Sequence, residues 1–205
     1  MARGRPPTSA KKKARSTTKR HTAAAPARRP AQARSDAIAL LKSDHRQVED
    51  FFRQFEKARG DDRKRNVARK ICHALRVHTQ IEEEIFYPAF YEATEDEDLH
   101  HEAIVEHDGA KKLIAEIEAS GPEDDFYDAR VNVLAEMIKH HVKEEEQRDG
   151  MFVKARSSEM DLVVLGEQMA TRKAELESAP EMLKGLERTM DAGRGLITRL
   201  VFSTR

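Results

Sequence analysis

The stretch "HTQIEEEIFYP", residues 78–88, sets three glutamates one turn after a histidine inside a run that otherwise reads as helix, and "HHVKEEE" at 140–146 repeats the pattern. Residues four apart share a helix face, so His78 stands over Glu82. Working outward, Ile71, Leu75, His78, Glu82 and Ile85 form the inner stripe of a helix over about 64–92, bent near its end by Pro88. Ahead of it, Ile38, Leu41, His45, Val48, Phe52 and Phe55 mark a helix over about 36–58, joined through the turn "ARGDDR" at 58–63. After the connection "EATEDED" at 92–98, a third helix carries Ala103, His107, Ala110, Ile114 and Ile117 and is broken by "SGPEDD" at 120–125. The fourth, over about 126–147, turns Val133, Met137, His140 and Glu144 inward, with Leu134, Ile138, His141 and Glu145 as the competing stripe.

Four amphipathic helices with short joints predict an all-α, up-down-up-down antiparallel four-helix bundle. His45, His78, Glu82, His107, His140 and Glu144 then lie on stripes that face the core, where an unpaired imidazole or carboxylate costs several kcal/mol. Their spacing shows what compensates them. Both histidine intervals, His45 to His78 and His107 to His140, are 33 residues, and a shift of 62 lays the first hairpin on the second. About 15 residues run from His45 to the first turn and about as many return to His78, so both imidazoles sit roughly 20 Å from that turn at 1.5 Å per residue. The second hairpin repeats this, and four imidazoles converge with two carboxylates one turn away. This nitrogen and oxygen donor set, without thiolate, suits iron, manganese or zinc, and carboxylates from different helices can bridge two ions. The expected pairs are His45 with His78 and His107 with His140, sharing Glu82 and Glu144. The outer glutamates of each triplet are then mostly solvated, or accept from the second nitrogen of a histidine.

The repeated Asp/Glu-His, followed by His-x-x-x-Glu-Glu-Glu and, in the first copy, an aromatic residue and Pro88, resembles the hemerythrin-like family, the HHE cation-binding domain, over about 36–153. The resemblance implies a non-haem centre of two irons held by His45, His78, Glu82, His107, His140 and Glu144. It also implies a role in binding or sensing iron, dioxygen or nitric oxide; a di-iron enzyme acting on peroxide or nitric oxide is the alternative. Respiratory members have a fifth histidine where this chain has Ala103, so two nearly equivalent irons are expected in place of reversible oxygen transport. Other patterns fit less well. "HEAIVEH" at 101–107 cannot present both of its histidines on one helical face as a zinc-protease motif does, and ferritin-like sites use Glu-x-x-His, the reverse order.

Composition bounds the rest. A chain of 205 residues, 36% charged and 5% aromatic, holds one ordinary core plus tails. The net charge of zero hides a segregation, since residues 1–34 carry eleven Lys and Arg and no acid. Lacking large apolar side chains, residues 1–35 are expected to be a disordered basic arm with nucleic acid as its partner, which makes a DNA-associated protein a further alternative. Residues 36–155 are expected to form the bundle. Residues 156–205 are expected to form a C-terminal helical extension, with a helix over 160–178 packing outside the bundle and a more distal segment available for self-association. The single cysteine, Cys72, can form no internal disulfide and reads as a small buried residue. No apolar run approaches a membrane span, and the expected location is cytoplasmic.

Overall fold

Asp36 opens the first helix by accepting a hydrogen bond from the Ala39 N–H at 2.7 Å, satisfying one of the donors that a helix N-terminus leaves free. The structure is a computed structural model that describes Met1 and residues 36–178. The basic arm expected at 1–35 and the extension beyond 178 therefore lie outside the described residues. Helix α1 runs Ala37–Lys57 and α2 runs Asp61–Ile81. Between them Gly60 takes φ 79°, a left-handed conformation that only glycine adopts without strain, and Asp61 and Asp62 follow at the positive end of the helix dipole. A π-turn, Glu82–Phe86, joins α2 to α3 (Tyr87–Thr94), and α4 (Glu97–Ala119), α5 (Tyr127–Glu146) and α6 (Met151–Ser157) follow. A last helix, α7, occupies 162–178. The described residues contain no strand, and no helix among them is long and apolar enough to cross a membrane.

The four long helices are neighbours in a ring: α1 packs on α2, α2 on α4, α4 on α5 and α5 on α1. Two apolar clusters fill the space between them. One joins Val48, Phe52 and Phe55 to Ile71, Cys72, Leu75, Ile114, Val131 and Leu134. The other joins Ile38, Leu41, Ile81, Phe86, Tyr87 and Phe90 to Ala103, Met151, Phe152 and Met169. Between the two clusters lie buried polar residues, His45 on α1, His78 with Glu82 at the end of α2, and His107 on α4, joined by His141 and Glu145 near the end of α5, beyond which the second cluster resumes in α6. The polar residues are thus sealed above and below by the side chains that stabilise the fold.

Two local features depart from the expected stripes. The wide turn after Ile81 lets the Tyr87 N–H bond to the Glu82 carbonyl, five residues back. Pro88 has no N–H to continue an ordinary ladder, and its ring crowds the carbonyl four residues earlier; the widened turn accommodates both. With more residues per turn, Phe86 and Tyr87 become buried, whereas Ile85, expected inside, is only half-buried. The second departure lies in α5, whose inner face carries Tyr127, Val131, Leu134, Ile138, His141 and Glu145, while Val133 is exposed. The expectation that His140 and Glu144 face the core is corrected by one residue.

The reason is in the connections. Both α1 and α4 extend twelve residues beyond their histidines, but the link from α1 to α2 has three residues and that from α4 to α5 has seven. The returning arm is fourteen residues to His141 against seventeen to His78, so the second interval is 34 residues and the first 33. An irregular loop hides that extra residue from a register counted along the chain.

Candidate metal centre

His45 from α1 and His78 from α2 bring their Nε2 atoms to 3.2 Å, and His107 from α4 and His141 from α5 do the same at 3.2 Å. Glu82 Oε2 lies 3.2 Å from His78 Nε2 and 3.4 Å from His107 Nε2, reaching across both pairs. Glu145 spans them from the other side, with Oε2 at 3.3 Å from His45 Nε2 and Oε1 at 3.7 Å from His141 Nε2. Five of these six residues come from four different helices, and Glu82 begins the π-turn; only the His78–Glu82 and His141–Glu145 pairings are local.

The outer nitrogens are engaged by carboxylates. His45 Nδ1 is 2.8 Å from Glu146, His107 Nδ1 2.9 Å from Glu83 and His141 Nδ1 2.7 Å from Glu106. His78 Nδ1 faces Asp44 at 3.8 Å and has no hydrogen-bond partner. Asp44 is held by Lys173 of α7, and Glu84, the outermost of its triplet, takes both Arg172 Nε at 2.7 Å and an Arg172 terminal nitrogen at 3.1 Å. The middle glutamate of the first triplet thus supports a histidine, as does the last of the second; Glu145, expected outside, points in.

A cation pair fits this donor set for a specific reason. When Nδ1–H of His107 donates to Glu83 and that of His141 donates to Glu106, the lone pairs of both Nε2 atoms point at one another across 3.2 Å. A proton or a metal ion between the two nitrogens removes that repulsion. Glu82 Oε1 is also buried without a hydrogen-bond partner. Protons leave their mark on the titration: burial alone would lower His45, but hydrogen bonds to Glu145 and Glu146 hold it up at about 9. Burial likewise opposes, and Glu82 with Glu83 overrides, so that His107 also sits at about 9. Glu145 is held below the usual carboxylate range, because the charge of His141 and the hydrogen bond and charge of His45 outweigh its burial.

Tyr87 is a site residue that the sequence reading missed. Its hydroxyl lies 3.1 Å from His107 Nε2, 3.5 Å from His141 Nε2, and donates to Glu145 Oε1 at 3.1 Å. Burial, then the negative charge of Glu145 and Glu82, pushes its ionisation well above the usual range. On the other side the His45 ring stacks on Phe152 at 5.7 Å, an apolar neighbour. The two imidazole pairs are therefore inequivalent, contrary to the symmetry that the repeat suggests. Pro88, one turn past the glutamate triplet, was the available signal, since a proline inside a helix disturbs the turn that precedes it.

The remaining two expected ligands stand outside. The His140 side chain is 61% exposed against 5% for His141, and it pairs with Glu144 at 3.0 Å. Of the six residues expected from sequence, the structure brings His45, His78, Glu82 and His107 together and places His140 and Glu144 on the outer face of α5.

Comparison with known proteins gives the family and the fold. The family described as Hemerythrin HHE cation binding domain matches residues 36–152. A crystal structure of a hemerythrin HHE cation-binding domain-containing protein from Mycobacterium kansasii superposes with a TM-score of 0.62 at 24% identity, covering 73% of this chain and 92% of that one. A DNA nickase of Nostoc sp. strain PCC 7120 is 26% identical over 110 residues; the match takes in 52% of this chain and only 30% of the length of that relative.

Proposed function

We propose, from the premise that this chain belongs to the hemerythrin HHE cation-binding domain family, that an antiparallel bundle of its four long helices holds a dinuclear non-haem iron centre that binds dioxygen, nitric oxide or peroxide. The ligands are His45, His78, Glu82, His107, His141 and Glu145. The observation that carries this reading is the pair of imidazole contacts at 3.2 Å, spanned from both sides by carboxylates.

Each residue then has a task. Glu146, Glu83 and Glu106 accept the Nδ1 protons, fixing the tautomers that aim Nε2 lone pairs inward. Phe152 and Phe86, packed edge to face at 5.8 Å, keep water from the His45 side. Tyr87 holds a hydroxyl proton at the His107 side, where it donates to Glu145 and can donate to a small molecule bound there. Iron, when bound, supplies redox chemistry and open coordination positions. We place the protein among cytoplasmic binders or sensors of such molecules. Catalytic turnover of peroxide by the iron-loaded protein would reassign it as an enzyme, a role that the buried phenol favours.

The test is metal content with an optical spectrum under nitrogen and then air. Protein supplied with excess ferrous iron should retain about two irons per chain after desalting, and a value below about one would overturn the reading. Protons should leave as iron enters. With His45 and His107 at about 9 in the folded protein, both are charged at neutral pH. Each must deprotonate to ligate, so apparent affinity rises with pH and levels off above that range. His141, also raised by Glu145 and Glu106, adds to this release, so an indicator dye at pH 7 should register at least about two protons released per chain.

A second reading concerns residues 1–34. Eleven basic residues without an acid, in a chain whose matched relative is named a DNA nickase, favour binding of nucleic acid through phosphate contacts. Binding should be indifferent to sequence and fall about 1,000-fold or more between about 50 and 200 mM salt. Deleting 1–34 should abolish the mobility shift; a truncated chain that still binds equally well would exclude the arm as the DNA element.

A further inference from the structure

The two residues that the one-residue register error had placed inside form a cluster of their own. Glu106 on α4 and His140 and Glu144 on α5 bring one ligand atom each to within 4.8 Å of the others. His140 Nε2 is 3.0 Å from Glu144 Oε1 and 3.8 Å from Glu106 Oε1. Two ligands about 2.1 Å from a cation and at right angles to one another stand about 3 Å apart, as His140 and Glu144 do, and the wider Glu106 spacing falls within the about 4.2 Å that two such ligands can span. All three side chains keep solvent access, with exposures of 61% for His140, 27% for Glu144 and 23% for Glu106, leaving room for a cation to retain waters.

A simple ion pair of residues four apart on one helix would account for His140 and Glu144. Glu106 comes from the neighbouring helix, and His141 takes up only one of its two carboxylate oxygens. Its Oε2 holds His141 Nδ1 at 2.7 Å, while Oε1 faces His140. One carboxylate thereby joins the outer cluster to an inner ligand. Behind it lies a narrow slot between α4 and α5 lined by Ala103, Glu106, His141, Glu144 and Glu145, so inner and outer carboxylates border the same space. The slot, lined also by Leu99, Glu102 and Met151, holds about 10 Å³, about the room of one water, so an ion passing through it would shed its waters.

We propose that Glu106, His140 and Glu144 form a second divalent-cation site at the surface, where a partly hydrated ion is held before it passes to Glu145 and His141; its staging role rests on the inner centre proposed above. The ligand class is a hydrated divalent cation that accepts nitrogen and oxygen donors, such as ferrous iron, manganese or zinc.

The test uses the full chain loaded with iron, desalted and titrated with manganese(II), with free manganese counted by electron paramagnetic resonance. About one manganese should bind per chain, and H140Q/E144Q, which changes only solvent-accessible side chains, should bind none. The same double variant, given limiting ferrous iron, should fill the inner centre about five-fold more slowly than the unmodified chain and reach the same end point, because the local supply of captured ion is lost. Absence of bound manganese in the iron-loaded chain, or an unchanged loading rate in H140Q/E144Q, overturns the proposal. The inner reading fails separately: E145A that takes up iron as the unmodified chain does would overturn it, whatever the manganese count.

Discussion

Glu145→Ala is expected to strip most of the iron from the protein, while Glu144→Ala, one residue away, leaves the inner centre loaded. Glu145 is buried and spans His45 and His141, whereas Glu144 lies on the outer face beside His140. In the proposed centre, loss of the spanning carboxylate would remove a donor shared by both ions and leave Glu82 as the one carboxylate between the imidazole pairs. Affinity should fall about 100-fold or more, on the order of 3 kcal/mol, which in desalted protein reads as less than about one iron per chain. His141→Ala and His140→Ala should divide the same way. Inductively coupled plasma analysis, with circular dichroism to show that each variant is folded, gives the answer, and equal iron in the paired variants would remove Glu145 and His141 from the ligand set.

Gly150→Ala is expected to destabilise the fold by about 3 kcal/mol, lowering the melting temperature by about 6–12 °C. The backbone conformation is not the obstacle, since φ at Gly150 is −78°. Space is: a Cβ there would stand 2.1 Å from the Glu144 carbonyl oxygen and 2.8 Å from that of Glu145. These atoms belong to the last turn of α5, which cannot move without moving Glu145, and the close crossing is what brings Met151 and Phe152 back over the centre. Gly109→Ala is the control. Its Cβ would approach Met137 Cε at 2.8 Å, the end of a flexible side chain, and alanine gains about 1 kcal/mol over glycine inside a helix, so that variant should be neutral or more stable. A Gly150→Ala protein that melts with the unmodified chain would show that the end of α5 can relax away from α6.

Much of the site was open to a reader of the sequence because helical periodicity is local. His45, His78, Glu82 and His107 each fall on a stripe whose other members are apolar, and burial follows from that pattern whatever the neighbouring helices do. For α5 two stripes compete over four positions, and the inner one is distinguished only by extending it backward. The stripe through His141 runs back to Val131 and Tyr127, both buried, while that through His140 runs into Arg130 and the exposed Phe126. The exact repeat of 33 residues pointed to the wrong stripe because it assumed that the two turns are equally long.

What the sequence by itself determined is the helical class, the apolar faces and the chemical type of the centre: imidazole and carboxylate, repeated twice, without thiolate. Those properties rest on side-chain identity and on spacing within single helices. Tertiary structure alone decided which residue of α5 turns inward, that Tyr87 enters the centre, and that Lys173 and Arg172 of α7 hold Asp44 and Glu84 behind it. Each of these depends on a length that no periodicity encodes: seven residues of irregular connection before α5, a turn widened at Pro88, and a chain path that returns α7 to the bundle. A change of one residue rotates a helix face by about 100°, enough to exchange the inside of a bundle for its outside.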